Sequence, residues 1–305
     1  MKRSVFVQQQ GVECDFTGSD LWVILSPIEQ SIKRKIEAVG VPLKDWDINI
    51  YRGVLTGYND AFIISTEKRN EILANCQTEE ERSKTAELIR PILRGRDIKR
   101  YGYDWAGLYL IATFPSRHYD IEMFPAVKRY LLSFGIERLE QTGKTHIVNG
   151  KNVKARKKTN NKWFETQDSI SYWEDFLRPK IVWKRVGSIL RFCYNNNGAL
   201  GLDSTCFATG KNIEFICCVL NSPMGHYLLK DAPKTGTGDL LISVQAVEPI
   251  KIPMITKEQN FIFEEALKEL IDYSSTEKEK EISHKVFDLY NLSHDEQKYI
   301  ENNFT

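Results

Sequence analysis

The chain has 305 residues, of which 42% are hydrophobic and 27% are charged. This length allows one large core, or a domain with an appendage, and the composition is that of an ordinary soluble protein. The longest weakly polar run, "FICCVLNSPMGHYLL", is too short and too interrupted to cross a bilayer. No signal peptide follows the start "MKRSVFVQQQ". Membrane and secreted classes are therefore excluded, and a cytoplasmic location is expected.

The formal net charge of +1 hides a segregation of charge along the chain. Residues 141–188 contain eleven Lys or Arg against four acids, whereas residues 255–305 contain six Lys against twelve acids. This distribution predicts a polyanion site in the middle of the chain and a solvated or partner-facing helical end.

Cysteine spacing excludes two further classes of protein. The six cysteines are Cys14, Cys76, Cys193, Cys206, Cys217 and Cys218. They show neither a CxxC motif nor Cys/His ligand spacing, so neither a zinc site nor a disulfide framework is indicated. Reduced thiols in a cytosol are expected, and no metal site is predicted.

The first elements in chain order are a helix and two strands. Ser26 and Glu29 form a capping box, Pro27 occupies the first turn and Gly40 ends the predicted helix. The segments "WDINIYRGVLTG" and "DAFIIST" then predict two strands joined as a hairpin, with Gly57 and Asn59 in the turn.

The next region alternates between helix and strand before a polar stretch. Thr78 and Glu81 predict a helix that halts near Pro91, followed by the strand "LYLIATF" and a helical region over residues 123–140. The segment "TGKTHIVNGKNVKARKKTNNKW" contains no acid and no periodicity. It predicts an exposed loop or a long, irregular hairpin.

The second half begins with strands and ends with helices. The strands "KIVWKRV", "ILRFCYN" and "CFAT" precede a helix from Ile213 to Leu229 and a strand from Leu240 to Val244. Two more capping boxes, Thr256 with Gln259 and Ser293 with Glu296, then predict an acidic helical tail. No internal repeat is present, which argues against a solenoid.

Three basic clusters are candidates for phosphate or nucleic-acid contact. They are the 51–65 loop (Arg52, Thr56, Asn59), the segment Arg94, Arg96, Lys99 and Arg100, and the run Lys154, Arg156, Lys157, Lys158 and Lys162 with Lys180, Lys184 and Arg185 downstream. Glycine lets the backbone approach a phosphate and arginine offers it a planar fork. Arg156, Asn160, Asn161, Gln167, Arg94 and Arg96 are also of a type that reads base edges. The alternatives are a solvated loop for the lysines and a turn in which Asp97 pairs with a neighbouring Arg.

Catalytic motifs are sparse. The chain contains no GxSxG elbow, no GxxxxGK[ST] loop and no HExxH helix, and its five histidines are not grouped. The chain is therefore expected not to be catalytic by itself. A free-standing enzyme on a small substrate is the alternative that these absences disfavour.

Several segments together resemble the TaqI-like C-terminal specificity domain. In order they are "IEAVGVPLKDWDINIYRGVLTGYNDAFIIS", "LIRPILRGRDIKRY", "YWEDFLRPKIVWKRV", "FICCVLNSPMGHYLL" and "VEPIKIPMITKEQ". The ending "ISHKVFDLYNLSHDEQKYIE" is similar to the close of fused type IIG restriction-modification enzymes. In that family the domain is the target recognition part of adenine-N6 DNA methyltransferases, with or without a fused endonuclease.

The resemblance implies a division of labour. The family's separate N-terminal domain binds S-adenosylmethionine and presents an Asn/Asp-Pro-Pro-Tyr/Phe motif to a flipped adenine. Here "NSPM" at Asn221 is the nearest string, and it lacks the second proline and the aromatic residue. The expectation is a double-stranded DNA recognition domain without a cofactor of its own, which works with a methyltransferase domain or subunit. A half-size specificity subunit that dimerises or docks through its tail is the alternative.

The resemblance also implies a fold and its boundaries. The expected class is α+β, a mixed-sheet specificity-type domain of the DNA-methylase kind with a helical C-terminal appendage. Residues 1–45 would lead from a catalytic domain, residues 46–254 would form the target recognition domain, and residues 255–305 would form the tail.

Overall fold

The computed structural model describes residues 25–273 and 275–304. Cys14, the N-terminal start and the first 24 residues of the predicted 1–45 segment lie outside the described residues. Within the described residues, no helix combines the length and apolar character needed to span a membrane. The five described cysteines carry free thiols.

Twelve α-helices and fourteen strands make up the described chain. The helices are α1 (Pro27–Val39), α2 (Asn59–Phe62), α3 (Thr66–Ala74), α4 (Glu79–Leu88), α5 (Pro125–Leu132), α6 (Ile136–Leu139), α7 (Ile213–Asn221), α8 (Pro223–Leu228), α9 (Val244–Val247), α10 (Lys257–Asp272), α11 (Thr276–Leu289) and α12 (His294–Phe304). The strands are β1 (Gly40–Pro42), β2 (Ile48–Arg52), β3 (Ile63–Ser65), β4 (Ile89–Leu93), β5 (Leu108–Ile111), β6 (Thr145–Val148), β7 (Lys151–Lys154), β8 (Lys180–Lys184), β9 (Val186–Gly187), β10 (Phe192–Asn195), β11 (Leu200–Gly201), β12 (Thr205–Gly210), β13 (Leu240–Leu241) and β14 (Lys251–Pro253).

Two four-stranded sheets organise the molecule. Sheet one has the order β10-β8-β12-β2 and is antiparallel throughout. Sheet two has the order β11-β4-β5-β3 and mixes a parallel pair, β11 with β4, with antiparallel pairs. Three two-stranded ribbons complete the set, namely β1 with β14, β9 with β13 and β6 with β7.

Sheet one is buried on both faces. In β8, Ile181 and Trp183 belong to one apolar cluster, core one, whereas Val182 belongs to a second cluster, core two. Successive side chains of a strand point to opposite faces, so "KIVW" serves both clusters at once. Core one combines one face of sheet one with helices α1 and α7–α12, and core two combines its other face with sheet two and helices α2–α6. The mixed α+β class with C-terminal helices is thereby confirmed.

The tail helices belong to core one. Phe263 and Leu270 of α10, Phe287 of α11 and Ile300 of α12 are all buried in it. The predicted boundary near residue 254 stays a prediction, and the packing shows that the tail shares a core with sheet one.

The capping predictions are confirmed. Ser26 and Glu29 cap α1 reciprocally, and Thr256 and Gln259 cap α10 in the same way. At α12 the backbone N–H of Ser293 donates to Glu296 Oε2 at 2.6 Å. These signals are local, so they survive in the tertiary fold.

The hairpin predicted over residues 46–66 is wrong. Strand β2 pairs with β12 in sheet one, whereas β3 pairs with β5 in sheet two. Residues 53–58 therefore join two sheets, and the predicted second strand begins with the short helix α2. The cause is that each strand pairs with a strand far from it in sequence, β2 with β12 and β3 with β5, and not with its neighbour along the chain.

Two smaller predictions also need correction. The helix predicted over residues 213–229 is two helices, because Ser222 caps a new one that starts at Pro223. The strand predicted over residues 240–244 ends at Leu241, and α9 follows. The helix predicted to start at Thr78 and halt near Pro91 is confirmed, since it ends at Leu88, and Pro91 lies inside β4.

Candidate nucleic-acid interface

Sheet one gathers cations at one of its ends. Strands β2 and β8 both run antiparallel to β12, so their last residues, Arg52 and Lys184, lie at the same end of the sheet. Arg191 precedes β10, whose Phe192 pairs with Trp183, and it therefore falls beside Lys184. All three cationic side chains are exposed.

The turn Gly95–Asp97 packs on the same end. The N–H of Gly95 donates to Ser204 Oγ at 3.1 Å. A Cβ at this glycine would lie 2.8 Å from Cγ of Lys184, so the close approach requires glycine. Exposed Arg96 is thereby held next to Lys184. We call the set Arg52, Arg96, Lys184 and Arg191 the basic edge.

The rest of the 94–100 segment is engaged within the protein. Arg94 is half-buried and its Nη2 lies 2.7 Å from Asp97 Oδ1, an interaction that raises the pKa of Arg94. Lys99 is exposed and lies 3.1 Å from Asp104. Arg100 donates to the carbonyl of Asn221 and pairs with Glu279 of α11. The predicted turn with Asp97 paired to arginine is present, and Arg96 alone of the four cations projects freely.

The 53–58 loop is anchored to a second loop, residues 155–168. Arg52 Nη2 lies 2.8 Å from Asp168 Oδ2, and the same oxygen accepts the N–H of Leu55 at 3.2 Å. Thr56 is fully buried and donates its hydroxyl to Asn59, which is exposed. Arg52 remains accessible, since 42% of its side chain is exposed.

Arg156 is a buried cation beneath these loops. Its side chain is 2% exposed. Its guanidinium donates to the carbonyls of Leu139, Thr56, Glu165 and Trp163 at 2.6 to 3.0 Å. Burial lowers the pKa of Arg156 to about 10. A side chain held in this way joins the 155–168 loop to the 53–58 loop and to the end of α6, and it does not reach a phosphate.

Lys180 is buried at the opposite end of β8 from the basic edge. Its Nζ donates to the carbonyl of Phe176 at 2.6 Å and to Asn195 Oδ1 at 2.8 Å. Burial lowers the pKa of Lys180 to about 8. Thr56, Arg156 and Lys180 were predicted as DNA contacts, and their burial leaves them out of any surface interface.

The remaining predicted lysines flank an exposed hairpin. Strands β6 and β7 form this hairpin, which we call the outer hairpin (residues 145–154), and Lys154, Lys157, Lys158 and Lys162 are exposed on or after it. This acid-free segment was predicted as an exposed loop or a long, irregular hairpin, and it forms a short, regular hairpin followed by a loop in which Ala155 and Arg156 are buried. Arg138 connects it to the 53–58 loop, since it donates to the carbonyl of Lys154 and stacks 3.9 Å from the ring of Tyr58.

Other predicted side chains divide between surface and interior. Asn160 is exposed, whereas Asn161 donates to the carbonyls of Thr166 and Gln167. Gln167 is half-buried, and Arg185 is half-buried beside the basic edge. Sequence reasoning missed Arg191 because it stands alone in "SILRF", and only the strand register brings it to Lys184.

The "NSPM" string has a structural role. Asn221 is 1% exposed, and its amide pairs with both backbone groups of Phe192. It links the end of α7 to β10 and is not available to hold a substrate amine. Across residues 25–273 and 275–304, no group of three or more His, Cys, Asp or Glu side chains could hold a metal ion.

A known protein family matches the central part of this chain. The family described as the TaqI-like C-terminal specificity domain matches residues 90–249, more than half of the chain. The chain belongs to this family. The matched region of the TaqI-like specificity domain contains the Gly95–Asp97 turn, the outer hairpin and the β8–β12 part of sheet one.

One solved structure supports the fold. The type IIL restriction-modification enzyme MmeI, solved in complex with DNA, is similar with a TM-score of 0.52 at 8% identity over 87% of this chain and 36% of that chain. The type IIG restriction endonuclease BpuSI has a TM-score of 0.46 at 13% identity, over 88% of this chain and 33% of that chain. This TaqI-like specificity domain thus spans about a third of the length of either enzyme. No curated protein matches the chain.

Proposed function

We propose that this TaqI-like specificity domain recognises a double-stranded DNA sequence on behalf of an adenine-N6 methyltransferase of a restriction-modification system, with or without a fused endonuclease. The observation that carries the proposal is the basic edge. Four cations from four separate segments of the chain converge on one end of sheet one, within a domain that belongs to a specificity family.

The basic edge has the chemistry of a phosphate-binding surface. Its arginines offer planar donor pairs, and Lys184 adds a point charge. The Gly95 backbone packs directly on Lys184, so the cations are presented by rigid elements. Phosphate contacts of this kind position a protein on the duplex without reading its sequence.

The partner would supply the chemistry. In this proposal a methyltransferase domain or subunit in the same cytoplasm binds S-adenosylmethionine and holds the flipped adenine. The specificity domain contributes affinity and sequence choice. The burial of Asn221 supports this division, since the nearest string to the catalytic motif is engaged with Phe192.

The test is the salt dependence of duplex binding by the full chain. Between about 50 and about 200 mM salt, the logarithm of affinity should fall linearly with the logarithm of salt concentration. The triple variant R96A/K184A/R191A should make that slope shallower by about 2 to 3, at about 0.9 per lost phosphate contact. Fluorescence anisotropy on labelled duplexes measures both quantities.

A matched control separates local from global charge. The triple variant K257A/K280A/K298A removes the same charge from exposed positions of the tail. It should leave the slope unchanged. An equal effect of both triples, or binding that does not respond to salt, would contradict the proposal.

The half-subunit alternative has less support. It requires the tail to dimerise or to dock on other subunits, and the buried apolar side chains of α10, α11 and α12 already pack within core one. Phe261, Ile262 and Ile271 of α10 are exposed, and a docking partner would have to contact these. Truncation before α10 would uncover that core, so loss of a dimer on truncation is not a clean test of docking.

A further inference from the structure

The outer hairpin has one side that faces only solvent. Its register pairs Thr145 with Lys154 and Ile147 with Asn152, and these four side chains share one face of the ribbon. All four are exposed. The other face is partly covered, since His146, Val148 and Val153 are half-buried. We call the exposed set the outward face.

The outward face departs from the usual pattern of a hairpin. A ribbon packed on a body normally turns its apolar side chains inward. Here Ile147 is 80% exposed, which makes it the most exposed large apolar side chain among the described residues. Asn152 lies directly opposite it. An uncovered isoleucine beside an uncovered amide is a surface suited to a partner with both apolar and polar groups.

The charges around the hairpin indicate what kind of partner it binds. Residues 141–164 contain no Asp or Glu, and Lys144, Lys151, Lys154, Lys157 and Lys158 are exposed around it. A partner that is strongly anionic and also offers methyl groups and hydrogen-bonding edges is the DNA major groove. The groove is wide enough to admit a two-stranded β-ribbon.

The turn and the base of the hairpin are both well defined. Asn149 and Gly150 have φ of 50° and 76°, the positive values of a tight primed turn. At its base, the N–H of Ala155 donates to the carbonyl of Lys144, and the N–H of Gly143 donates to the carbonyl of Arg156. Buried Arg156, two residues beyond β7, therefore anchors the base of the ribbon through its four carbonyl contacts.

We propose that the outer hairpin enters the major groove with its outward face toward the bases, where Asn152 pairs with an adenine and Ile147 contacts the methyl group of a thymine. The inference rests on the proposed function and adds the residues that read sequence. The side-chain amide of Asn152 matches the N6 donor and N7 acceptor of adenine. The recognised sequence therefore contains an A·T pair, and the surrounding lysines hold the phosphates.

The experiment starts from the sequence that the full chain selects out of a pool of random duplexes. On the selected duplex, N152A should lose affinity by about 5- to 150-fold, the usual discrimination of a bidentate base contact. The affinity of N152A for a scrambled duplex and its salt slope should stay at the wild-type values, because no charge changes.

A base analogue tests the second contact. Replacement of the contacted thymine by deoxyuridine removes only the methyl group. It should weaken binding of the wild-type chain several-fold and leave the I147A variant unaffected, since that variant has already lost the contact. The control is I262A on α10, where the isoleucine is 46% exposed in an acidic segment. It should behave as wild type on every duplex.

The outcomes are separable. If N152A and I147A bind the selected duplex as tightly as wild type, the hairpin does not read bases and the inference is overturned while the proposed function stands. A chain that binds duplexes with no sequence preference overturns the proposed function, which is sequence recognition, and the inference falls with it. A chain that binds no duplex at any salt concentration overturns the proposed function first.

Discussion

The cations under the loops and the cations of the basic edge are the same residue types with opposite roles. Arg156 and Lys180 are buried. Arg156 donates its hydrogen bonds to backbone carbonyls, and Lys180 donates to a backbone carbonyl and a side-chain amide. Arg96 and Lys184 are exposed and lie at the rim of sheet one. Two of these four, Lys180 and Lys184, are the first and last residues of a single strand. Position in the fold, and not charge in the sequence, separates structural from surface cations.

The physical reason is the cost of desolvation. A cation taken out of water is stable only if enough acceptors surround it, and its donors are then no longer available to a ligand. An exposed cation keeps its hydration until a phosphate replaces it. Buried cations should therefore affect the free energy of unfolding, and exposed ones the salt dependence of DNA binding.

The largest expected effect is that of Arg156. The variant R156M keeps most of the volume and removes the donors. The carbonyls of Leu139 and Trp163 then lose their donor, whereas Thr56 keeps the N–H of Gln167 and Glu165 keeps the amide of Gln141. We expect a loss of about 2 to 6 kcal/mol in the free energy of unfolding, at about 1 to 3 kcal/mol for each of the two unsatisfied groups. Urea denaturation followed by tryptophan fluorescence measures it.

The neighbouring residue provides the contrast. Lys157 is exposed, so K157M should change the free energy of unfolding by less than about 0.5 kcal/mol. Equal destabilisation by the two variants would erase the distinction between the two kinds of cation.

Lys180 should make the free energy of unfolding depend on pH. Because its pKa in the folded protein is about 8, below the ordinary 10.5, the unfolded chain holds a proton that the folded chain has released between these values. Stability contributed at this site therefore rises with pH across that window. From about pH 7 to about pH 9.5 the wild type should gain about 2 kcal/mol relative to K180M.

The comparison with K180M removes the contributions of other groups that titrate in the same range. Denaturation curves of both proteins at each pH give the difference directly. A difference that does not vary with pH would mean that Lys180 keeps its ordinary pKa inside the fold.

Lys35 lies between the buried and the exposed cations in its exposure. The loss of its ion pair should have the smallest of the three expected effects on the free energy of unfolding. Its half-buried ammonium lies 2.7 Å from Glu296 Oε2 and joins α1 to α12. Burial raises the pKa of Glu296, but hydrogen bonds from Lys35, Ser31 and the backbone of Ser293 outweigh it and lower the value to about 2. We expect E296Q to lose about 1 to 2 kcal/mol at neutral pH, after allowance for solvent screening.

Acid titration distinguishes this pair from a generic surface effect. The contribution of Glu296 is present above its ordinary pKa of 4.5 and is lost as the pH falls toward 2. E296Q should therefore show a flatter loss of stability over that range than wild type. The control E37Q changes an exposed carboxylate of α1 and should follow the wild-type curve.

Local features of the fold were predictable from sequence. Capping boxes at Ser26, Thr256 and Ser293 place helix starts because they depend on residues three apart. A strand over "KIVW" was also predictable, and its three apolar residues Ile181, Val182 and Trp183 are buried on both faces of sheet one. The sequence did not show which strands pair with each other. Strands β2 and β3 pair in different sheets, each with a strand that lies far along the chain.

The sequence showed which segments are basic, but it did not show which of their side chains are exposed at the candidate site. The basic segments were evident, and their type of ligand followed from charge and from family resemblance. The burial of Arg156 and Lys180 was not evident, because it depends on carbonyls contributed by loops up to 100 residues distant. The outward face was also hidden, because the exposure of Ile147 and Asn152 follows from which side of the hairpin meets the body.

Core one contains both Ile32 and Ile300, and each is fully buried there. During synthesis this core stays incomplete until α12 has left the ribosome. Core two, whose buried members lie between Val54 and Phe207, has all its parts much earlier. We therefore expect an order of assembly in which the two sheets form first and the helical layer closes last, with Ile32 exposed in the interval.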